Sequence, residues 1–185
     1  EGFINEDLVP KPLNDYAVSH LAAEFIVRQH SISSALPATI IRLTNSYGCP
    51  INKNKINKNL LLNDLALMAL KEEKLTLKSA PNIRRDFICM SDVAKALQEI
   101  TVYGKPEISG QIFNLSYGKS ISLLDAAKEI RKAYLIYKGK KINIEYTKDF
   151  KKKDNLIIDS SSIYKLLSFK PKFRIVEEAL KTFKL

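Results

Sequence analysis

Short β-branched runs and helical periodicities alternate along this chain, and that alternation restricts its fold more than any other feature. Residues 38–44, Ala-Thr-Ile-Ile-Arg-Leu-Thr, sit between Pro37 and the turn-like Tyr47-Gly48-Cys49-Pro50, the pattern of a buried central strand with Asn45 at its C-terminal end. Before it, Val18, Leu21, Ala22, Phe25 and Ile26 recur at helical spacing behind Asn14, a good N-cap. After it, a polar loop over 51–58 feeds an apolar helix over 60–71, and 75–78 and 86–90 read as brief strands. Ser91 and Asp92 open a helix to about residue 101, and 111–116 reads as a strand. Ser122-Leu-Leu-Asp125 is a capping-box pattern opening a helix to about residue 134. Weaker strands at 142–146 and 156–158 precede helices at 161–167 and 175–183. The expected class is α/β, a parallel or mixed sheet covered by helices.

At 185 residues and 45% hydrophobic content the chain can bury a core, which excludes disorder. No run of eighteen apolar residues occurs, so no membrane partner is expected. Cys49 and Cys89 have neither metal-type spacing nor the ladder of a secreted disulfide scaffold, which fits a reducing cytoplasm. His20 and His30 are the only histidines, and neither has a second ligand at metal-binding spacing.

Thirty basic against twenty acidic residues leave a charge of +10. Much of the excess lies at Lys138, Lys140, Lys141, Lys148, Lys151, Lys152 and Lys153. Without interleaved aromatics or a nucleic-acid module, this reads as a solvated lysine face, and no nucleic-acid partner is expected.

Tyr16 and His20 stand four apart on the first helix, on a face roughly opposite the apolar stripe, so both are expected to point away from the core. In isolation such a tyrosine is an ordinary amphipathic surface residue. Asn45 by itself reads equally well as a turn former, and Arg85, between Arg84 and Asp86, as a member of a surface ion pair.

The surrounding residues change these readings. Pro12-Leu-Asn-Asp-Tyr16-Ala-Val-Ser-His20-Leu-Ala-Ala-Glu24 resembles the catalytic helix of extended short-chain dehydrogenases, the NAD(P)-dependent nucleotide-sugar epimerases and dehydratases. Arg42-Leu-Thr-Asn45-Ser-Tyr47-Gly48-Cys-Pro50 resembles the strand end and turn that follow it, and Arg85-Asp86-Phe87-Ile88 with Asp92-Val93-Ala94 the family's third block. Phe113-Asn114-Leu115 and 167–173 extend the likeness over essentially the whole chain.

The resemblance implies an incomplete Rossmann-like parallel sheet with a small C-terminal α/β substrate-binding lobe, divided at about 1–117 and 118–185. It implies hydride transfer at a sugar carbon, with Tyr16 as acid and base and with Tyr16 and His20 contacting the cofactor, NAD or NADP. Asn45 and Arg85 take the place of the residues that hold the diphosphate of a nucleotide-diphosphate sugar, and a homodimer is compatible with the likeness. A role in surface-polysaccharide or related sugar biosynthesis would follow.

His20 departs from the family pattern, which has lysine there. A phenol has a pKa of about 10 and needs nearby positive charge to act as a base, whereas imidazole is only about one quarter charged at pH 7. A catalytically silent sugar-nucleotide-binding protein is the alternative. No Gly-rich strand-to-helix fingerprint for pyrophosphate occurs in the sequence. The expectation is therefore a C-terminal portion without the N-terminal dinucleotide-binding units and with little activity alone.

Overall fold

A computed structural model describes residues 2–33, 37–103, 106–147 and 156–185. In chain order its elements are β1 (Gly2–Ile4), α1 (Asp15–Ser33), β2 (Ile40–Leu43), β3 (Asn45–Tyr47), α2 (Leu61–Glu72), β4 (Lys74–Leu77), β5 (Arg84–Cys89) and α3 (Met90–Tyr103). There follow β6 (Ile112–Leu115), β7 (Ser120–Ser122), α4 (Leu123–Lys138), β8 (Asn143–Tyr146), β9 (Leu156–Ile158), α5 (Ser161–Tyr164) and α6 (Ile175–Phe183). The class is α/β, and the strand pairs β1–β9, β2–β6, β3–β5 and β4–β8 are all parallel. Among the described residues only the short β7 pairs antiparallel, onto β5.

The strand expected over 38–44 forms as β2, and a second strand, β3, follows it directly with a different partner. Thr44 is the switch: its N–H donates to the Leu115 carbonyl at the end of β6, and its hydroxyl donates to the Asp86 carbonyl of β5. Asn45 thus opens a strand rather than ending one or shaping a turn. β2 is also not central: it is only partly buried, and β6 is its sole strand partner among the described residues. A β-branched run satisfies its hydrogen bonds on whichever neighbours tertiary packing supplies, and composition does not name them.

Two apolar clusters hold the chain together. One lies where α2, α4 and α6 meet, around Leu65, Ala69, Ala126, Ile130, Ala133 and Phe183. Alanines on the facing stripes of α2 and α4 let the helix axes approach closely. The other packs α3, through Val93, Ala96 and Ile100, against Ile88, Leu115, Ile163 and Leu167. Segments before and after residue 118 contribute to both.

Local signals are honoured at α4. The Ser122 hydroxyl accepts the Asp125 N–H at 3.0 Å and donates to the Asp125 carboxylate at 2.6 Å. The helix runs one turn past the expected end, to Gly139, whose φ of 68° and N–H bond to the Leu135 carbonyl form a left-handed C-cap. α3 begins at Met90, straight out of β5, so Ser91 lies inside its first turn rather than at its cap, while Asp92 stands in that first turn as expected of a favourable charge. Of the lysine-rich stretch, Lys148, Lys151, Lys152 and Lys153 lie outside the described residues, while Lys140 pairs with Glu73.

Candidate active site

Asn14 caps α1 as expected, its side-chain oxygen accepting the Ala17 N–H at 2.9 Å. The helix is nonetheless seated differently from what its apolar stripe suggests. None of its residues is buried, and Val18, Phe25 and Ile26 are exposed, the last two at 62% and 59%. Its partly shielded residues are Ala17, Leu21, Glu24 and Ser31, which fall on one stripe at spacings of four, three and seven. That stripe lies against the sheet. Tyr16 and His20 precede Glu24 by eight and four residues and are themselves exposed, away from the core as expected, on the flank of that stripe. No described element covers the apolar stripe, and an apolar periodicity is buried only where something packs on it.

Tyr16 is 73% exposed, and its ring lies 4.3 Å from the exposed His20 imidazole, centroid to centroid, tilted by 52°. The phenol and imidazole thus form an accessible pair on the flank of the sheet-facing stripe. Both can reach a molecule lying along that flank.

Asn45 and Arg85 come together as a second pair. They line one cavity of about 230 Å³ with Ser46, Tyr47 and Phe87 of β3 and β5, closed on the other side by Asn59, Leu60, Leu61, Leu62 and Asn63. Tyr16 and His20 are not part of its wall. One N–H of the Asn45 amide donates to the Asp86 carbonyl at 3.1 Å, which leaves the second free to serve a ligand. Arg85 makes no ion pair among the described residues. Alternation along β5 puts its side chain on the exposed face while Asp86, its neighbour, is 1% exposed on the other. The surface ion pair considered for Arg85 is therefore not formed with Asp86.

The N-terminus of α2 belongs to this site too, and the sequence reading did not include it. Leu60 occupies the N-cap and offers no side-chain bond, so the first-turn N–H groups lack the capping acceptor that Ser, Asp or Asn would supply. Their positive end of the helix faces the same cavity as Arg85. The one sequence signal is an apolar helix that begins without a capping residue, between Asn59 and Asn63.

On the face of β5 opposite Arg85, the Asp86 carboxylate accepts the N–H groups of Tyr117 at 2.8 Å and Lys119 at 2.9 Å. Burial pushes its pKa up, although those backbone bonds pull the other way. A carboxyl raised in the folded state binds its proton more tightly there than in the unfolded chain. Its stabilising contribution is present at acid pH and is lost as pH rises from the ordinary carboxylate range through the raised folded value. The stability deficit of Asp86→Asn, measured by urea denaturation, should accordingly be larger at pH 4 than at pH 7; a deficit that grows with pH would contradict this assignment.

Arg42, on β2, grips Glu24 with two bonds: Nε donates to Oε2 at 3.0 Å and Nη2 to Oε1 at 2.6 Å. Its Nη1 donates to the Glu6 carbonyl at 3.0 Å. Hydrogen bonding to Glu24 raises the guanidinium pKa further. On β3, burial pushes the Tyr47 phenol up, and its oxygen accepts the Arg174 N–H at 2.8 Å.

Comparison with known proteins decides what this arrangement belongs to. The family described as GDP-mannose 4,6 dehydratase matches residues 1–182. The chain belongs to the NAD-dependent nucleotide-sugar epimerase/dehydratase family. Among relatives of this epimerase/dehydratase chain, the dTDP-L-rhamnose 4-epimerase of Burkholderia thailandensis is 30% identical over 125 residues, covering 68% of this chain and 34% of that protein. The dTDP-D-glucose 4,6-dehydratase of Dictyostelium discoideum is 32% identical over 129 residues, covering 68% and 27%. The chain thus spans about a third of the length of the curated relatives it matches. Among solved structures, a UDP-glucuronic acid 4-epimerase from Bacillus cereus, in complex with UDP-glucuronic acid and NAD, superposes with a TM-score of 0.78 at 22% identity. That match covers 100% of this chain and 56% of the other. The epimerase/dehydratase fold is therefore that of a Rossmann-type short-chain dehydrogenase, represented by part of its sheet.

Proposed function

We propose that this chain carries the sugar-nucleotide side and the acid–base helix of an NAD(P)-dependent nucleotide-sugar epimerase, dehydratase or reductase. The observation behind this reading is the shared cavity of Asn45, Arg85 and the uncapped start of α2, three sources of N–H donors aimed at one space. A guanidinium fork, an amide and a helix N-terminus together suit the oxygens of a diphosphate. Residues from 118 onward, with α2 and β4, form the substrate-side lobe in this reading.

Tyr16 and His20 fit the nicotinamide-ribose end of the cofactor, since both are exposed and adjacent. A bound nicotinamide would take up and return the hydrogen of the sugar carbon. Tyr16 would remove the sugar hydroxyl proton and give it back, and His20 would hydrogen-bond a ribose hydroxyl.

Calorimetry of the chain with UDP-, dTDP- and GDP-sugars should show binding that requires the diphosphate, and a chain indifferent to all three refutes the reading. With NAD added, turnover in the wild type should fall by about 10²- to 10⁴-fold in Tyr16→Phe while sugar-nucleotide affinity stays the same. A second reading follows from His20 standing where the family has lysine: a protein that binds the sugar nucleotide but does not react. Tight binding without turnover, gained on His20→Lys, would select it.

A further inference from the structure

We propose that Glu24 and Arg42 are positioning residues, whose ion pair sets the seat of α1 on β2 and so places Tyr16 and His20 relative to the Asn45–Arg85 cavity. The inference rests on the functional reading above, but its structural half stands independently.

A helix usually takes its position from the apolar face it buries. α1 has no fully buried residue, and Val18, Phe25 and Ile26 of its apolar stripe are exposed, so apolar packing by Ala17 and Leu21 alone defines its rotation and height on the sheet only weakly. Besides the partly shielded Ala17 and Leu21, the contacts between α1 and the body are polar. Near its C-terminus the Ser31 and Ser109 hydroxyls share one hydrogen bond at 3.1 Å. In its middle Arg42 holds Glu24 by two bonds, in fork geometry that fixes orientation as well as distance.

The position of the pair is what makes it a positioning device. Glu24 lies one turn beyond His20 and two turns beyond Tyr16 on the same edge of the helix, about 12 Å along the axis from Tyr16. Arg42 is three residues before Asn45, and Thr44 and Asn45 are both bonded to the Asp86 carbonyl of β5. The connection from phenol to cavity therefore runs through helix, ion pair and strand. Arg42 is itself braced from a third side, where Glu6 gives its carbonyl to Nη1 and its carboxylate to the Asn114 N–H at 2.9 Å. Both partners are shielded, at 23% and 15% side-chain exposure, so solvent screens the pair less than it would a surface one.

Histidine offers a natural probe, because His20 and His30 are the only two in the chain and both lie on α1. The experiment follows their ring resonances, together with amide hydrogen exchange, in the full chain and in Glu24→Gln and Arg42→Lys. UDP and UDP-glucose, or dTDP and dTDP-glucose, serve as ligands. In Glu24→Gln, amides of 15–33 should exchange about tenfold faster or more, since the neutral amide leaves a shielded guanidinium unpaired, while α4 and α6 keep their rates. Arg42→Lys, which keeps the charge but loses the fork, should fall between and serves if Glu24→Gln fails to fold. In the wild type the sugar moiety should shift His20 more than His30; in Glu24→Gln that response should vanish while the nucleotide diphosphate still binds within about twofold. Unchanged exchange in α1 in both variants, or exchange that rises equally in α1, α4 and α6, overturns the proposal. A wild-type chain whose His20 ignores all four ligands sinks the functional reading instead, and the exchange data still decide the clamp.

Discussion

Replacing Arg85 by Gln should weaken binding of a nucleotide diphosphate by about 10- to 100-fold and leave the fold intact. The size follows from losing a charge-assisted hydrogen bond, worth about 1.5–3 kcal/mol. The intact fold follows from where Arg85 stands: it is exposed on β5, pairs with no carboxylate among the described residues, and lines the cavity across from the start of α2. Calorimetry with UDP or dTDP, alongside a urea melt, checks both halves. An affinity unchanged within about twofold would remove Arg85 from the site and take the diphosphate reading with it. The same measurement in rising salt should show the wild-type affinity falling more steeply than the variant's, because the variant has lost the cation that salt screens.

Asp92→Ala should destabilise the chain by about 3–5 kcal/mol, the cost of breaking a shielded ion pair from one side. The Asp92 carboxylate accepts the Lys172 N–H at 2.8 Å and the Arg174 guanidinium at 2.6 Å, and it sits in the first turn of α3, where negative charge is favoured. Its loss strands the Arg174 cation and an orphan N–H in a region where Arg174 also gives its backbone N–H to Tyr47. This network ties the approach to α6 onto α3 and β3, so the damage should spread to the wall of the cavity that Tyr47 lines. Urea denaturation reads the loss directly, and a cost below about 1 kcal/mol would mean that the pair is a surface-like contact.

Much of this protein is legible in residues that are neighbours along the chain. Asn14 and Ser122 announce their helices because a cap acts within three residues of itself. The alternation of strand and helix patterns suffices for the α/β class, and the family blocks around Tyr16, Asn45 and Arg85 suffice for the family that the comparison shows. The choice of face on α1 is not legible in this way. Periodicity identifies the stripe of Val18, Phe25 and Ile26 as apolar, but whether a stripe is covered depends on what packs there, and here Glu24 faces the sheet instead.

The same division runs through the site. Residue types and their order along the chain are enough to nominate a phenol, an imidazole, an amide and a guanidinium, since each carries its chemistry wherever it stands. Three things are decided only by the tertiary structure: the break between β2 and β3 at Thr44, the joining of Asn45 and Arg85 with the start of α2, and the grip of Arg42 on Glu24. Each depends on hydrogen bonds or shared walls between segments fourteen or more residues apart, and such pairings arise only when the sheet assembles.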